Sequence, residues 1–234
     1  MNRIAVMQPY FLPYLGYFQL VQAVDRFVIY DDVEYSKQSW FNRNLFLLNE
    51  NPRYFTIPVK HDSDFLDVRE RVIAPVFQEQ REEILARLEY AYRKAPFFDS
   101  VFPFIQEIFE YDDNNLYQFI RFSFDRVCER LGIDTEIIAS SCIESARGLG
   151  GIDRLFKICN VMEASHYINL PGGRELYDKK DFKRNGIELL FLQPELQAYK
   201  QFGREFIPGL SILDVMMFNS TESIQKMLRR YRYT

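Results

Sequence analysis

Apolar positions come in short bursts toward both ends of the chain and in long three-and-four stripes through its middle. Arg3 to Met7, Arg26 to Tyr30 and Tyr54 to Val59 are short, β-rich runs. Between the first two, Leu15, Phe18, Leu20, Val21 and Val24 recur at near-helical spacing, which predicts a crossover helix and hence a β-α-β unit. From about Phe65 to Leu131 the stripes in QEQREEILARLEYAYRKA and FIQEIFEYDDNNLYQFIRFSFDRVCERLG predict helices, the last closed by Gly132. The α/β rhythm then returns. Glu136 to Ala139, His166 to Leu170 and Ile187 to Leu192 read as strands; Gly151 to Ala164, Tyr177 to Lys183, Ser211 to Phe218 and Glu222 to Arg230 read as helices.

This alternation predicts one α/β domain over residues 1–234, a doubly wound and mainly parallel sheet with 65–131 as a helical insertion. Such sheets bind ligands outside the carboxyl ends of their strands, at the point where strand order reverses. The tips are Gln8-Pro9-Tyr10, Asp31-Asp32, Lys60-His61-Asp62, Ser140-Ser141-Cys142 and Pro171-Gly172-Gly173-Arg174. Polar turn residues follow any strand, so one such tip means little. Polar groups at every tip, two of them with Gly or Pro fixing the backbone, favour a composite site.

Composition narrows the partners. Hydrophobic residues make up 47% and charged residues 26%, and no apolar run approaches the ~20 residues of a membrane span. The net charge of −4 supplies no basic field for nucleic acid, and Arg229-Arg230-Tyr231-Arg232 reads as a solvated helix end. Without a signal-like start or paired cysteines, a reducing cytoplasm is the expected setting. Cys128 and Cys159 fall in helices as small buried residues; Cys142 alone is placed to meet a substrate, and the inert reading is preferred for it. His61 and His166 have no partners at ligand spacing, so no metal is expected. His61 is a candidate general base and His166 a structural residue. Gly148-Leu149-Gly150-Gly151 opens a helix without P-loop spacing, and a plain turn is at least as good a reading.

Two segments are dense in candidate chemistry. In MQPYFLPYLGYFQL, Tyr14-Leu15-Gly16-Tyr17 resembles the His-x-Gly-His turn of HUP-type nucleotidyltransferases, with the glycine in register and tyrosine replacing both histidines. That places Gln8, Tyr10, Tyr14, Gly16 and Tyr17 at a ligand-binding turn, the alternative being a packed aromatic turn. In VIYDDVEYSKQSWFNRN, the adjacent Asp31 and Asp32 point to opposite faces of an extended chain. Lys37, Trp40, Asn42, Arg43 and Asn44 combine a flat ring, two amides and two cations, a set suited to sugar or phosphate. The alternatives are a core Trp40 and an Arg43 paired with Asp32.

The motifs M-Q-P-Y-F-x-P-Y-x-G-Y-F-Q-L, F-V-I-Y-D-D-V-x-Y, W-x-N-R-N, T-I-P-V and, at Phe206 to Asp214, F-I-P-x-L-S-I-L-D together resemble the WbqC-like family of bacteria, from end to end of the chain. The resemblance implies work on nucleotide-linked sugars in O-antigen and other surface polysaccharide biosynthesis, with acyl or aminoacyl (glycyl) transfer to an amino sugar as the implied reaction. Asp31, Asp32 or His61 would take the proton. Arg43, Lys37 and the amides following Gly172 would hold phosphate or oxyanion, with Lys60, Ser140, Ser141 and Gly173 also expected to bind substrate. Adenylate, thioester and aminoacyl-carrier donors all fit, so no cofactor is assigned. A non-catalytic sugar-nucleotide binder and an ATP-using nucleotidyltransferase relative are the alternatives.

Overall fold

The computed structural model describes residues 1–203 and 205–234. Its main sheet has six strands: β1 (Arg3–Met7), β2 (Arg26–Ile29), β5 (Glu136–Ala139), β6 (His166–Asn169), β7 (Glu188–Pro194) and β8 (Tyr231–Tyr233). They lie in the order β5-β2-β1-β6-β7-β8, all parallel except β8, which runs antiparallel to β7. The chain winds outward from β1 through β2 to β5, then returns to the far side of β1 as β6. The switch point therefore lies between β1 and β6.

Strand alternation divides the core into two layers. Ile4 and Val6 of β1, Val28 of β2, Tyr167 of β6 and Phe191 of β7 pack against helices α5 (Gly151–Val161) and α6 (Lys179–Arg184). Ala5, Phe27, Ile29, Ile168 and Leu192 face the opposite way, onto the larger core that includes α1 (Leu15–Ala23) and α4 (Leu116–Leu131). Both faces are thus covered by helices, the doubly wound arrangement expected from the sequence.

Two expectations are corrected. The run Tyr54 to Val59 is not a strand of the main sheet. Asn51–Thr56 forms β4, which pairs antiparallel with β3 (Arg43–Leu48) as a separate two-stranded hairpin. Its turn, Asn49-Glu50, has φ of 50° and 62°, the left-handed pair that a tight two-residue hairpin turn requires. The third parallel strand is β5, so Lys60-His61-Asp62 does not end a strand of the parallel sheet. The basic tail is the other correction. α8 (Thr221–Leu228) stops before it, and Tyr231–Tyr233 adds an edge strand instead of extending the helix.

Between β2 and β5 the chain passes through the hairpin and then α2 (Phe77–Tyr92), α3 (Phe98–Phe109) and α4. Asn115 caps α4, its side chain accepting the Gln118 N–H at 3.0 Å, and Gly132 ends the helix at φ 66°. Residues 65–76 ahead of α2 form no α-helix: they hold a 3-10 turn at Val68–Glu70 and are joined to their neighbours by bridges such as Glu34 to Asp67 and Val72 to Asn115.

Candidate functional site

The chain leaving β1 is forced into an unusual path. Leu12, wholly buried, has φ of 45°, a conformation unfavourable for a residue with a branched side chain. It persists because side chains from distant segments hold its carbonyl. Asn44 of β3 donates its amide to Phe11 O at 3.0 Å and Leu12 O at 2.5 Å, and Ser211 donates its hydroxyl to Leu12 O at 2.8 Å. Tyr17, in the first turn of α1, donates its buried hydroxyl to Gln8 O at 2.8 Å. Gly16 makes room for the ring of Tyr14, since a Cβ there would lie 2.4 Å from a Tyr14 ring carbon and 3.0 Å from Pro194 Cβ. The Tyr-x-Gly-Tyr turn is therefore a packing device as well as a surface.

This path shapes a cavity of about 390 Å³ lined by Met7, Gln8, Pro9, Tyr10, Tyr14 and Tyr17, with Ser39, Trp40, Leu170 and Gly209 completing it. It spans the carboxyl ends of β1 and β6, which is the switch point. Burial raises the pKa of Tyr10, Tyr14 and Tyr17, so all three phenols remain neutral donors at physiological pH.

Trp40 is 38% exposed and stands at this cavity, not in the core. Its ring lies 5.6 Å from that of Tyr10 and 6.0 Å from that of Tyr54 on β4. The Arg43 guanidinium lies 5.6 Å from the Trp40 centroid and 5.4 Å from that of Tyr54, and donates to Gln38 O. No carboxylate pairs with it among the described residues. The Arg43–Asp32 pair is not formed. Tyr54, which a sequence reading that places its run in the parallel sheet does not single out, lies exposed on β4.

The tips of β2 and β5 do meet, as one hydrogen-bonded cluster. Asp31 is buried and accepts the Ser140 hydroxyl at 3.0 Å, the Ser141 N–H at 2.9 Å and the Ser141 hydroxyl at 2.6 Å. Asp32 is paired with Arg154 of α5 and accepts from Ser140 as well. Burial alone would raise the Asp32 pKa, but the Ser140 hydroxyl and the Arg154 guanidinium outweigh it and hold the group below its ordinary value. Both carboxylates are thus engaged by the protein, and Asp32, held below its ordinary value, is a poor general base. Burial and then the Asp31 charge push the Tyr117 phenol up to about 12.

Other expected residues take other places. His61 and Lys60 are exposed, and Lys60 lines a separate cavity of about 300 Å³ that includes Arg81 and Asp112. Lys37 is exposed and lies 3.7 Å from Asp64. Asn42 is buried scaffold, accepting the Tyr35 hydroxyl at 3.2 Å and donating to Ile57 O at 2.7 Å. Gly172 is exposed at the β6 tip; Gly173 is buried there, where a Cβ would meet the Asn169 amide at 2.6 Å. Cys142 is exposed, while burial pushes the thiols of Cys128 and Cys159 up to about 12. His166 bonds Ser165 and lies 3.2 Å from Glu188, a structural position. Among the described residues no group of three His, Cys, Asp or Glu side chains is placed to hold a metal ion. No helix among them is long and apolar enough to cross a membrane.

Asp214 was not singled out by its chemistry from the sequence. It is wholly buried and accepts from Tyr92 at 2.8 Å, Tyr199 at 2.5 Å and Gln201 at 2.8 Å. Burial raises its pKa. The network anchors the segment that carries Gly209 and Ser211 to the cavity.

Fold and cavity define a doubly wound α/β protein with a small-molecule-sized, aromatic-walled cavity at its switch point. The chain belongs to the WbqC-like protein family, which matches residues 8–226. It is 30% identical, over 99% of its own length and 100% of the relative's, to the uncharacterized protein Rv1507c of Mycobacterium tuberculosis (strain ATCC 25618 / H37Rv). No solved structure matches the chain significantly.

Proposed function

We propose that this chain transfers an acyl or aminoacyl group, glycyl above all, to the amine of a nucleotide-linked amino sugar in cytoplasmic steps of surface polysaccharide biosynthesis. The observation that carries this reading is the wall formed by Tyr10, Trp40 and Tyr54, with the uncompensated Arg43 guanidinium against it, at the switch point. Rings of this kind stack a base or a pyranose face, and a guanidinium takes phosphate through parallel N–H bonds. Membership of the WbqC-like family supports the polysaccharide setting.

The reaction forms a C–N bond between the sugar amine and the acyl carbon and releases the donor's leaving group, the amine proton passing to that group or to water. Tyr10 and Tyr14, kept neutral by burial, offer O–H donors to the carbonyl oxygen as it gains charge. Holding both reactants in one cavity can itself supply roughly 7 kcal/mol of the barrier. Asp31 and Asp32 serve as positioning residues in this scheme. His61, absent from the cavity lining, is not assigned the proton either.

That same engagement of Asp31 and Asp32 favours a second reading, a sugar-nucleotide binder that does not turn over its ligand. One experiment separates the two. Trp40 is the only tryptophan, so its fluorescence reports the cavity. UDP- or dTDP-linked amino sugars are expected to quench it saturably and in preference to ATP with magnesium. Mass spectrometry of the sugar, after incubation with glycine and ATP or with an acyl thioester, is expected to show the added group. Quenching without a mass gain selects the binder; no quenching by any nucleotide sugar overturns both.

A further inference from the structure

Two arginines are buried to more than nine-tenths, Arg154 and Arg71. Their surroundings are opposite in kind. Arg154 meets Asp32. Arg71 is only 3% exposed, yet no carboxylate lies within ion-pairing distance and no acceptor engages its guanidinium among the described residues; its Nε is buried without a partner. The Tyr35 ring lies 4.7 Å from its guanidinium carbon. Removing a guanidinium from water without a counter-charge costs several kcal/mol, and a ring face recovers only part of that.

The backbone leaves the residue little freedom to escape. Arg71 N donates to Val68 O at 3.2 Å and Arg71 O accepts from Leu116 N at 2.9 Å, while the Asn115 amide donates to Arg69 O at 2.6 Å. The segment is thus fastened to the first turn of α4, whose N-terminus is itself electropositive. Tyr35 then relates Arg71 to the cavity wall. Its hydroxyl is held by Asn42, the residue next to Arg43, and both Arg71 and Arg43 act on that phenol, opposing the upward shift that burial imposes. Arg71 thus lies over the Tyr35 ring while Arg43 lies over Trp40 and Tyr54, and neither guanidinium has a carboxylate among the described residues.

We propose that Arg71 is an anion-binding residue that takes a phosphoryl group of a nucleotide ligand, its buried guanidinium being left without a partner by the protein. The assignment deepens the nucleotide-sugar reading of the Trp40 cavity and rests on it for the identity of the nucleotide, but the anion site is testable without any sugar. Planar guanidinium forks match tetrahedral phosphate oxygens in pairs of parallel bonds, which a lysine ammonium does not reproduce.

The test is titration calorimetry of inorganic pyrophosphate into the full chain at low salt, with Arg71→Met and Arg71→Lys beside the wild type. Wild type is expected to bind and to gain thermal stability from the anion. Arg71→Met is expected to weaken binding at least tenfold and to lose that gain, while melting without anion at or above the wild-type temperature, because an unpaired buried charge is removed. Arg71→Lys, which keeps the charge, is expected to bind with intermediate affinity. Wild-type pyrophosphate affinity in Arg71→Met, or no binding to wild type, overturns the proposal. So does binding of acetate without binding of pyrophosphate, which reassigns the group to a carboxylate. Quenching of Trp40 by uridine reports the cavity independently of Arg71: its loss with pyrophosphate binding intact breaks the nucleotide-sugar reading and leaves the anion site standing.

Discussion

Asn44 donates its side-chain amide to the carbonyl of Leu12, 32 positions earlier and in a left-handed backbone conformation, at 2.5 Å. Ser211, 199 positions later, donates to the same oxygen at 2.8 Å. Three segments remote in sequence thus converge on one strained residue, and the walls of the cavity at Tyr10 and Tyr14 follow from that convergence. Asn44→Ala leaves the Phe11 and Leu12 carbonyls without this donor in a buried place, so a loss of about 1–3 kcal/mol is expected. For a chain of this size that is a fall in Tm of roughly 2–4 °C per kcal/mol. Ligand quenching of Trp40 should weaken in the folded fraction, since the loop loses its preferred path. Unchanged melting by differential scanning calorimetry would remove Asn44 from this role.

Arg43 stands at the surface of the hairpin, and the fold does not depend on it for charge compensation. Arg43→Ala is expected to melt close to wild type while weakening nucleotide-sugar binding by roughly 1.5–3 kcal/mol, the usual worth of a charge-assisted hydrogen bond. Titration and melting on the same preparation decide the matter. A large fall in Tm with unchanged affinity of the folded protein would make Arg43 scaffold.

The difference between Asn44 and Arg43 shows what the sequence could disclose. Both lie in the crowded W-x-N-R-N segment, and composition alone offers both to a ligand. Only the hairpin decides: strand alternation sends Asn42 and Asn44 inward as buried scaffold and leaves Arg43 beside the exposed Trp40 and Tyr54. The parallel strands were legible because buried strands read as short apolar runs bounded by turns. The hairpin was not, because its second strand begins with Asn51-Pro52-Arg53, mostly exposed and without an apolar stripe to mark it. That one missed element moved Lys60 and His61 to the wrong tip. Arg71 was invisible for a different reason: a charged residue in an extended segment looks solvated, and only the packing of α4 buries it.

Gly16 tests whether the Tyr-x-Gly-Tyr turn is packed as described. Gly16→Ala places a methyl group against the Tyr14 ring and Pro194, so overpacking of about 1–3 kcal/mol is expected, even though alanine favours helix. Replacing Tyr14 by alanine as well removes the main collision. The double variant should therefore be less destabilised than the sum of the two single changes, read from chemical denaturation of all four proteins. Strict additivity would place the collision elsewhere.

The Asp32–Arg154 pair gives a prediction with a definite sign in pH. The side chains are only 8% and 11% exposed, so Arg154→Met leaves a buried carboxylate without its cation, and a loss of about 3–5 kcal/mol is expected at neutral pH. Adding Asp32→Asn removes the stranded charge and should recover part of that loss. Because the native Asp32 is held below its ordinary 3.8, it keeps its charge at a pH where the unfolded chain has taken up a proton. Unfolding then binds protons as pH falls. The pair's stabilisation is therefore complete above the unfolded value and lost as pH drops from about that point through the lower native one. Denaturation followed from pH 7 down to pH 3 should show wild-type stability falling toward that of the double variant, whose own profile is flatter across the same window. A double variant as steep as wild type would assign the acid limb to other carboxylates, and the engaged state of Asp32 would then carry no weight against its acting as a base.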